Sequence, residues 1–384
     1  MSILTHSPAI VRDGLVLCLD AGAVRSYPIF RGSNLITNGE FTTDTTGWAG
    51  YGGTTVSRVT ASSDPGVPSG GTDDYCLKVS GTFMAYDPIS TTTGKHYFVR
   101  LRGYDASGGN SLKISNTSDG ASLTGVSSVD VTGAEWKTYT SSFIAEGTTT
   151  YIRVGANSGG GGVSYWDKIE VYEAVWADLT GQSNDGVING IDALSAASGA
   201  GGTKYFDFDG TSSGIITDTA DFRSGDSAGT MAAWFSTNAL DAYQVIVGSF
   251  DFASTTRYIE IFLLNNGKVA FAQCNSDTGD YFYYNSALAA STWYHVAVTS
   301  NGSSYALYVN GAEVTKTFAT GSDTGDWFAE TTARDNFCVG VLKYNSTHTN
   351  WLNGRVAIVH QYNRALTAAE IQQNYRTHKG RFGL

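Results

Sequence analysis

Long apolar runs, proline and paired cysteines are what this sequence has least of. No stretch approaches the roughly 18 consecutive apolar residues of a membrane-spanning helix. The opening MSILTHSPAIVRDG also has no basic segment followed by an apolar one, so the expected product is soluble, made in a cytoplasm and without membrane insertion. The four cysteines, Cys18, Cys76, Cys274 and Cys338, include no CxxC, which excludes zinc-ribbon and redox readings. Cys18 and Cys338 sit in apolar strands and read as small buried hydrophobes. Basic residues are also scarce: 24 Lys+Arg face 35 Asp+Glu, a net charge of −11, so a phosphate backbone is repelled and nucleic acid is excluded as a partner. The six histidines form neither HxH nor HExxH, and no GxxxxGK[ST] is present, so metal-dependent hydrolysis and nucleotide-phosphate binding have no support.

What is abundant is glycine, at 46 residues, with 22 tyrosines and 18 phenylalanines and only 5 prolines. Short strands joined by tight turns use this composition, and few stretches carry helical spacing, so the expected class is all-β. Residues 14–27, GLVLCLDAGAVRSY, open on an apolar run that stops at Asp-Ala-Gly and reads as one buried strand. Nothing beside it in the chain looks like its partner. The natural continuation begins at Trp176, WADLTGQSNDGVING, and the intervening block of about 140 residues is near the usual size of a domain. The expected organisation is two β-sandwich (jelly-roll) domains and one C-terminal helix: a discontinuous outer domain, 1–33 with 174–384, and an inserted domain, 34–173.

In the insert, short strands recur without helices: YCLKVSG, KHYFVRLRGYD, WKTYTSSFIA, TTYIRVGA and VSYWDKIEVYE. Period-two alternation in the last sets Asp167 on one face with Tyr165, Ile169 and Val171. A carboxylate on so apolar a face requires a cation or strong donors. NLITNGEF, Trp136 followed by an alternating strand, and SYWDKIEVYE resemble the carbohydrate-binding modules appended to bacterial xylanases and cellulases. That resemblance implies a structural calcium held partly by Glu40 and Asp167. Pairing of Asp167 with a basic or backbone donor is the other reading, and the two stand even.

In the outer domain, TKYFDFDGTSSGIIT places Phe206 and Phe208 on one face and Asp207 and Asp209 on the other. The two carboxylates are candidates for holding a ligand or calcium, or they form a solvated face and a turn before Gly210. RYIEIFLLNNGKVAFAQC reads as a hairpin whose Asn266-Gly267 pair favours a type I′ turn, and WYHVAVTSNGSSYALYVNGAEV repeats the design at Asn301-Gly302 and Asn310-Gly311. Thr367 and Glu370 form a capping box, with Leu366 and Ile371 at staple positions, so a helix starts there and ends near Gly380.

The ordered set GLVLCLDAG…SYP, W.DL.G..N.G, FDFDG, MAAWF, WYHVAVT, LYVNG and YNRALTAAEIQQNY…KGRFGL resembles the laminin-G-like, concanavalin-A-like jelly rolls of tailed-phage structural proteins, particularly cyanophage types. The resemblance implies a non-enzymatic virion component, a head decoration, fibre or tail appendage. Such a protein docks on other virion proteins, forms a homo-oligomer and displays its module to host-surface glycans. A carbohydrate-binding host-recognition protein is the alternative. A glycosidase ranks below both, because a retaining enzyme needs two carboxylates about 5 to 5.5 Å apart and YIEIFLL offers Glu260 alone, between Tyr258 and Phe262. Aromatic faces are the better sugar-holding candidates. DYFYYN puts Tyr281 and Tyr283 on one face and Phe282 and Tyr284 on the other, so one pair points away from the core. Trp327, in the Gly/Asp-rich GSDTGDWFAE, reads as an exposed platform or as a lid folded back on the sandwich.

Overall fold

The structure is a computed structural model that describes residues 9–23, 29–30, 33–60, 75–124, 126–156, 161–182, 184–189, 204–220 and 222–384. The SYP motif at 26–28 lies outside the described residues. The chain divides into two compact units, Met1–Ile29 with Val175–Leu384, and Phe30–Ala174.

The first unit is built from β1 (Leu15–Asp20), β2 (Gly186–Asn189), β3 (Phe206–Asp209), β4 (Gly214–Thr217), β5 (Gly229–Thr237) and β6 (Gln244–Phe250). There follow β7 (Arg257–Leu263), β8 (Lys268–Asn275), β9 (Thr278–Ala287), β10 (Tyr294–Ser300), β11 (Tyr305–Val309) and β12 (Ala312–Val314). The chain ends with β13 (Lys316–Thr320), β14 (Asn336–Val339), β15 (Leu342–Tyr344), β16 (Thr347–Thr349), β17 (Asn353–Tyr362) and the helix α1 (Ala368–His378). One sheet runs β1-β17-β5-β10-β11-β12, with β3 pairing the first residues of β17 on the same side as β1. The other runs β2-β4-β14-β6-β7-β8-β9-β13. Between them lies the core, where Phe271 of β8 meets Tyr305 of β11 with ring centroids 5.3 Å apart.

The two outer faces of this sandwich differ, and that difference positions the site. Every residue of β5 is buried, so MAAWF shows no alternation: its sheet is covered on both sides. The cover on the outer side is α1, started by the expected capping box, in which the Thr367 side chain accepts from Glu370 N and the Glu370 carboxylate from Thr367 N at 2.9 Å. Leu366 and Ile371 then pack with Ala232, Ala297, Tyr308 and Tyr362. On the second sheet the hairpin β15–β16 covers only part of the outer face, where Leu342 joins Ile216, Val245, Phe250 and Cys338. All four cysteines are free, and Cys18, Cys76 and Cys338 are buried.

The turns separate by backbone sign. Asn310 and Gly311 both have positive φ, 50° and 76°, as a type I′ turn requires. At the β7–β8 hairpin only Gly267 does (77°), with Gly267 N donating to Leu264 O and Leu264 N to Lys268 O, so the loop is the three-residue form closed by a left-handed glycine. Asn265 adds the residue that a two-residue type I′ turn excludes.

The second unit has a five-stranded sheet in the order Ala49–Gly50, Met84–Ser90, Thr149–Ala156, Asn110–Ser115, Val129–Val131. Opposite it run Lys137–Ile144, His96–Ser107, Gly162–Trp176, Cys76–Gly81 and Thr55–Val59, and Trp48, Phe143 and Trp166 fill the core. The expected alternation around Asp167 fails at a β-bulge. Asp167 pairs with Arg102 and Glu170 with Arg100, so Lys168, at φ 51°, and Ile169 stand opposite Leu101 alone, and one extra residue interrupts the register. Trp166, Ile169 and Val171 face the core, while Asp167 lies on the other face with Arg102.

Candidate functional site

Alternation along β7 sends Ile259, Ile261 and Leu263 into the core and Tyr258, Glu260 and Phe262 outward. The cross-strand neighbours of Glu260 are Gly248 on β6 and Ala272 on β8, and Ala270 and Ala272 are in turn flanked by Tyr283 and Tyr281 on β9. Small residues at the floor and rings around it leave an open groove of about 410 Å³, with Tyr243, Tyr258, Glu260, Phe262, Tyr281 and Tyr344 in its lining. The rings are continuous: Tyr243 to Phe262 is 6.5 Å, Phe262 to Tyr281 is 5.8 Å and Tyr281 to Tyr283 is 6.3 Å. Gly248 is required by contact, since a Cβ there stands 2.8 Å from that of Glu260.

Glu260 is buried, its Oε2 has no hydrogen-bond partner among the described residues, and burial pushes its carboxyl up to about 8. The acid is therefore mostly protonated at neutral pH and presents both a donor and an acceptor. Tyr258 and Tyr281 are likewise raised by burial and stay neutral.

Residues 209–372 match the Concanavalin A-like lectin/glucanases superfamily. The groove lies within that matched span, and the all-β jelly-roll class with one C-terminal helix is the fold of this chain. No curated protein matches. Among solved structures, the CBM40 of Ruminococcus gnavus IT-sialidase bound to alpha2,3 sialyllactose is 18% identical, covering 38% of this chain and 80% of that one at a TM-score of 0.35. A Trypanosoma rangeli sialidase in complex with 2,3-difluorosialic acid is 15% identical over 53% of this chain and 31% of its own, at a TM-score of 0.40. A leech intramolecular trans-sialidase is 16% identical over 42% and 27%, at 0.36.

The first unit brings some candidate residues together and separates others. Tyr281 and Tyr283 share the outer face as expected, with Phe282 fully buried on the other side, and Lys268 stands 4.8 Å over the Tyr283 ring. Trp327 is a correction. Instead of standing exposed, it is 0% accessible and stacks on Phe271 at 5.7 Å and 12°. Its loop is drawn inward by Asp280, which accepts from Tyr305 Oη (3.0 Å), Ser322 N (2.8 Å) and the Thr324 hydroxyl.

Asp207 and Asp209 lie on β3, in the opposite sheet from the tyrosines, so they do not join the groove. Asp207 faces Arg355 at 3.5 Å. Asp209 closes its own turn, accepting from the backbone N of Thr211, Ser212 and Ser213 at 2.8 to 3.1 Å and from their hydroxyls. Partial burial acts to raise its carboxyl, and the bonds from Ser212, Ser213 and Thr211 more than offset this, holding it well below the usual range. Residues 210–214 of this turn spell GxSxG, a pattern that in hydrolases marks a serine between strand and helix. Here it joins two strands, and the Ser212 hydroxyl donates to Asp209 at 2.6 Å.

In the second unit Glu40 is exposed, whereas Asp167 is 1% accessible. Asp167 accepts from Lys168 N at 2.8 Å and lies 3.9 Å from Arg102. Among the described residues no group of three or more His, Cys, Asp or Glu converges as a cation site.

Tyr243, Tyr258 and Tyr344 were not singled out as ligand contacts by their sequence. Tyr258 sits two residues from Glu260, and the alternating small residues Ala270 and Ala272 were the legible sign of a hollow. Tyr243 and Tyr344 reach the groove from distant segments, and no local pattern marks them.

Proposed function

We propose that this protein is a non-enzymatic carbohydrate-binding protein whose sugar site is the outer face of β7–β9. The observation that carries this reading is the row Phe262, Tyr281 and Tyr283 beside the buried Glu260, whose Oε2 has no partner among the described residues. Ring faces match the C–H faces of a pyranose, and a few convergent polar groups fix its orientation. Binding without hydrolysis is supported by the surround of Glu260: its strand neighbours Tyr258, Phe262, Gly248 and Ala272 are not acids, and of the groove's other carboxyls Asp280 is occupied by Tyr305, Ser322 and Thr324 while Asp277 lies exposed at the rim. On a glycan array, full-length protein is expected to bind, and Tyr281→Ala to weaken binding about tenfold or more, roughly 1.4 kcal/mol. Its melting temperature stays near that of the parent, because Tyr281 is only partly buried. Absence of binding to any glycan at millimolar concentration removes the proposal.

A second reading, compatible with the first, is a virion component that docks on neighbouring virion proteins and displays the module of residues 34–173 to host glycans. The ordered motifs from LVLCLDAG to YNRALTAAEIQQNY favour it. Mass spectrometry of purified particles is expected to find the chain, and particles lacking it end this reading.

A further inference from the structure

We infer, resting on the glycan-binding reading of this groove, that its ligand is an uncharged oligosaccharide and that acidic sugars, whether sialic, uronic or sulfated, are excluded. Three observations converge on this class. Among the described residues no lysine or arginine lines the groove; its acidic members are Glu260, Asp277 and Asp280. Asp280 is buried and occupied by Tyr305, Ser322 and Thr324, while Asp277 is exposed at the β8–β9 turn. A sugar carboxylate or sulfate is held by guanidinium, ammonium or a fan of N–H donors. Here it meets Asp277 at the rim and, at the floor, a neutral Glu260 carboxyl that offers a single donor and no positive charge. Of the cations nearby in sequence, Arg257 pairs with Asp251 at 3.2 Å, and Lys268 stands over Tyr283 at the end of the ring row, outside the lining around Glu260.

The second observation is Glu260 itself, 7% accessible and with Oε2 unpartnered among the described residues. A buried polar atom without a partner is costly, and a ligand hydroxyl supplies one. A protonated carboxyl donates one hydrogen bond and accepts another, which suits adjacent hydroxyls on a sugar ring. The third is the surround. Among the described residues the groups facing Glu260 are Gly248 on β6, Tyr258 and Phe262 on β7, Ala272 and Cys274 on β8, Tyr281 on β9, Tyr344 on β15, Tyr243 before β6 and Asp277 at the rim, and none of these is cationic. Burial keeps the Glu260 carboxyl neutral up to about pH 8, and above this the groove gains a negative charge and loses its donor.

The test is a glycan array that pairs neutral oligosaccharides with their sialylated, uronic-acid and sulfated counterparts, read with full-length protein at pH 6 and pH 9. Tyr281→Ala and Glu260→Gln are read alongside. At pH 6 the neutral member of each pair is expected to bind about tenfold more tightly than its acidic counterpart. Raising the pH to 9 weakens wild-type binding about tenfold, and Glu260→Gln flattens that pH dependence to within about threefold. Acidic glycans binding as well as neutral ones, with the signal lost in Tyr281→Ala, overturn this inference while the groove remains a sugar site. No binding to any glycan overturns the sugar site and this inference together.

Discussion

Replacing Trp327 by alanine is expected to cost the first unit about 3 to 5 kcal/mol, the range for removing a buried Trp or Phe side chain. The ring stacks on Phe271 and meets Phe328 edge-on at 5.6 Å and 82°, and its indole lies where a Cβ on Gly229 would be 2.0 Å away. Truncation therefore opens a cavity that the loop, tied down through Asp280 and Tyr305, cannot collapse to fill. At about 2 to 4 °C per kcal/mol for a unit of this size, the loss lowers the melting temperature by about 10 °C. Differential scanning calorimetry reads it directly, with Tyr281→Ala as the surface comparison. Melting unchanged together with lost glycan binding would place Trp327 at the ligand instead of in the core.

Acidification gives the other large effect. His295 on β10, His360 on β17 and His378 at the end of α1 meet beneath the helix: Trp234 lies 5.2 Å from His295, and His360 is 5.9 Å from His378. Burial, then the charge of His378, lowers His295 to about 3; burial, followed by the neighbouring histidines, takes His360 well below its ordinary value; burial lowers His378 as well. A base whose folded value lies below its unfolded one, near 6.5, takes up protons preferentially on unfolding. Stability is thus lost as pH falls below that value, by about 1.4 kcal/mol per pH unit for each such group. Glu260 runs the other way. Its raised value gives a contribution that is complete below 4.5 and lost as pH rises through about 8.

Between pH 6.5 and 4.5 the three histidines outweigh Glu260, and the first unit loses stability on acidification. Above 6.5 Glu260 gives a fall in the opposite sense, and Asp87 in the second unit, raised to about 7 by burial, adds to it. Melting temperatures measured across pH 4 to 9 are expected to peak near 6.5 and drop steeply on the acid side. A flat profile between 6.5 and 4.5 would mean that these imidazoles are already protonated in the folded chain.

The elements that could be read from the chain alone are those whose signals are local. Thr367 and Glu370 start a helix because the cap is made within one turn, and the apolar run Leu15–Leu19 is a strand because its own residues are buried on both faces. Its partner, β17, lies more than 330 residues away by the register Asp20↔Ile358, and the missing neighbour was itself the clue. Sequence also placed Tyr281 and Tyr283 on the face opposite Phe282, since alternation depends only on strand geometry.

What only the tertiary structure decided is where each surface points and what covers it. A Gly/Asp-rich stretch reads as an exposed loop, yet Asp280 and Tyr305, from other strands, pull Trp327 inside. Asp167 and Ile169 fall on opposite faces because one bulge, at which Ile169 N donates to Gly39 O, breaks a period that the residues themselves continue. The groove exists because α1 covers one sheet while β15–β16 leaves part of the other open, so that Tyr243 and Tyr344 close around Glu260 from segments with no local tie to it. Periodicity travels along a chain and can be read there; burial is a property of what arrives from elsewhere.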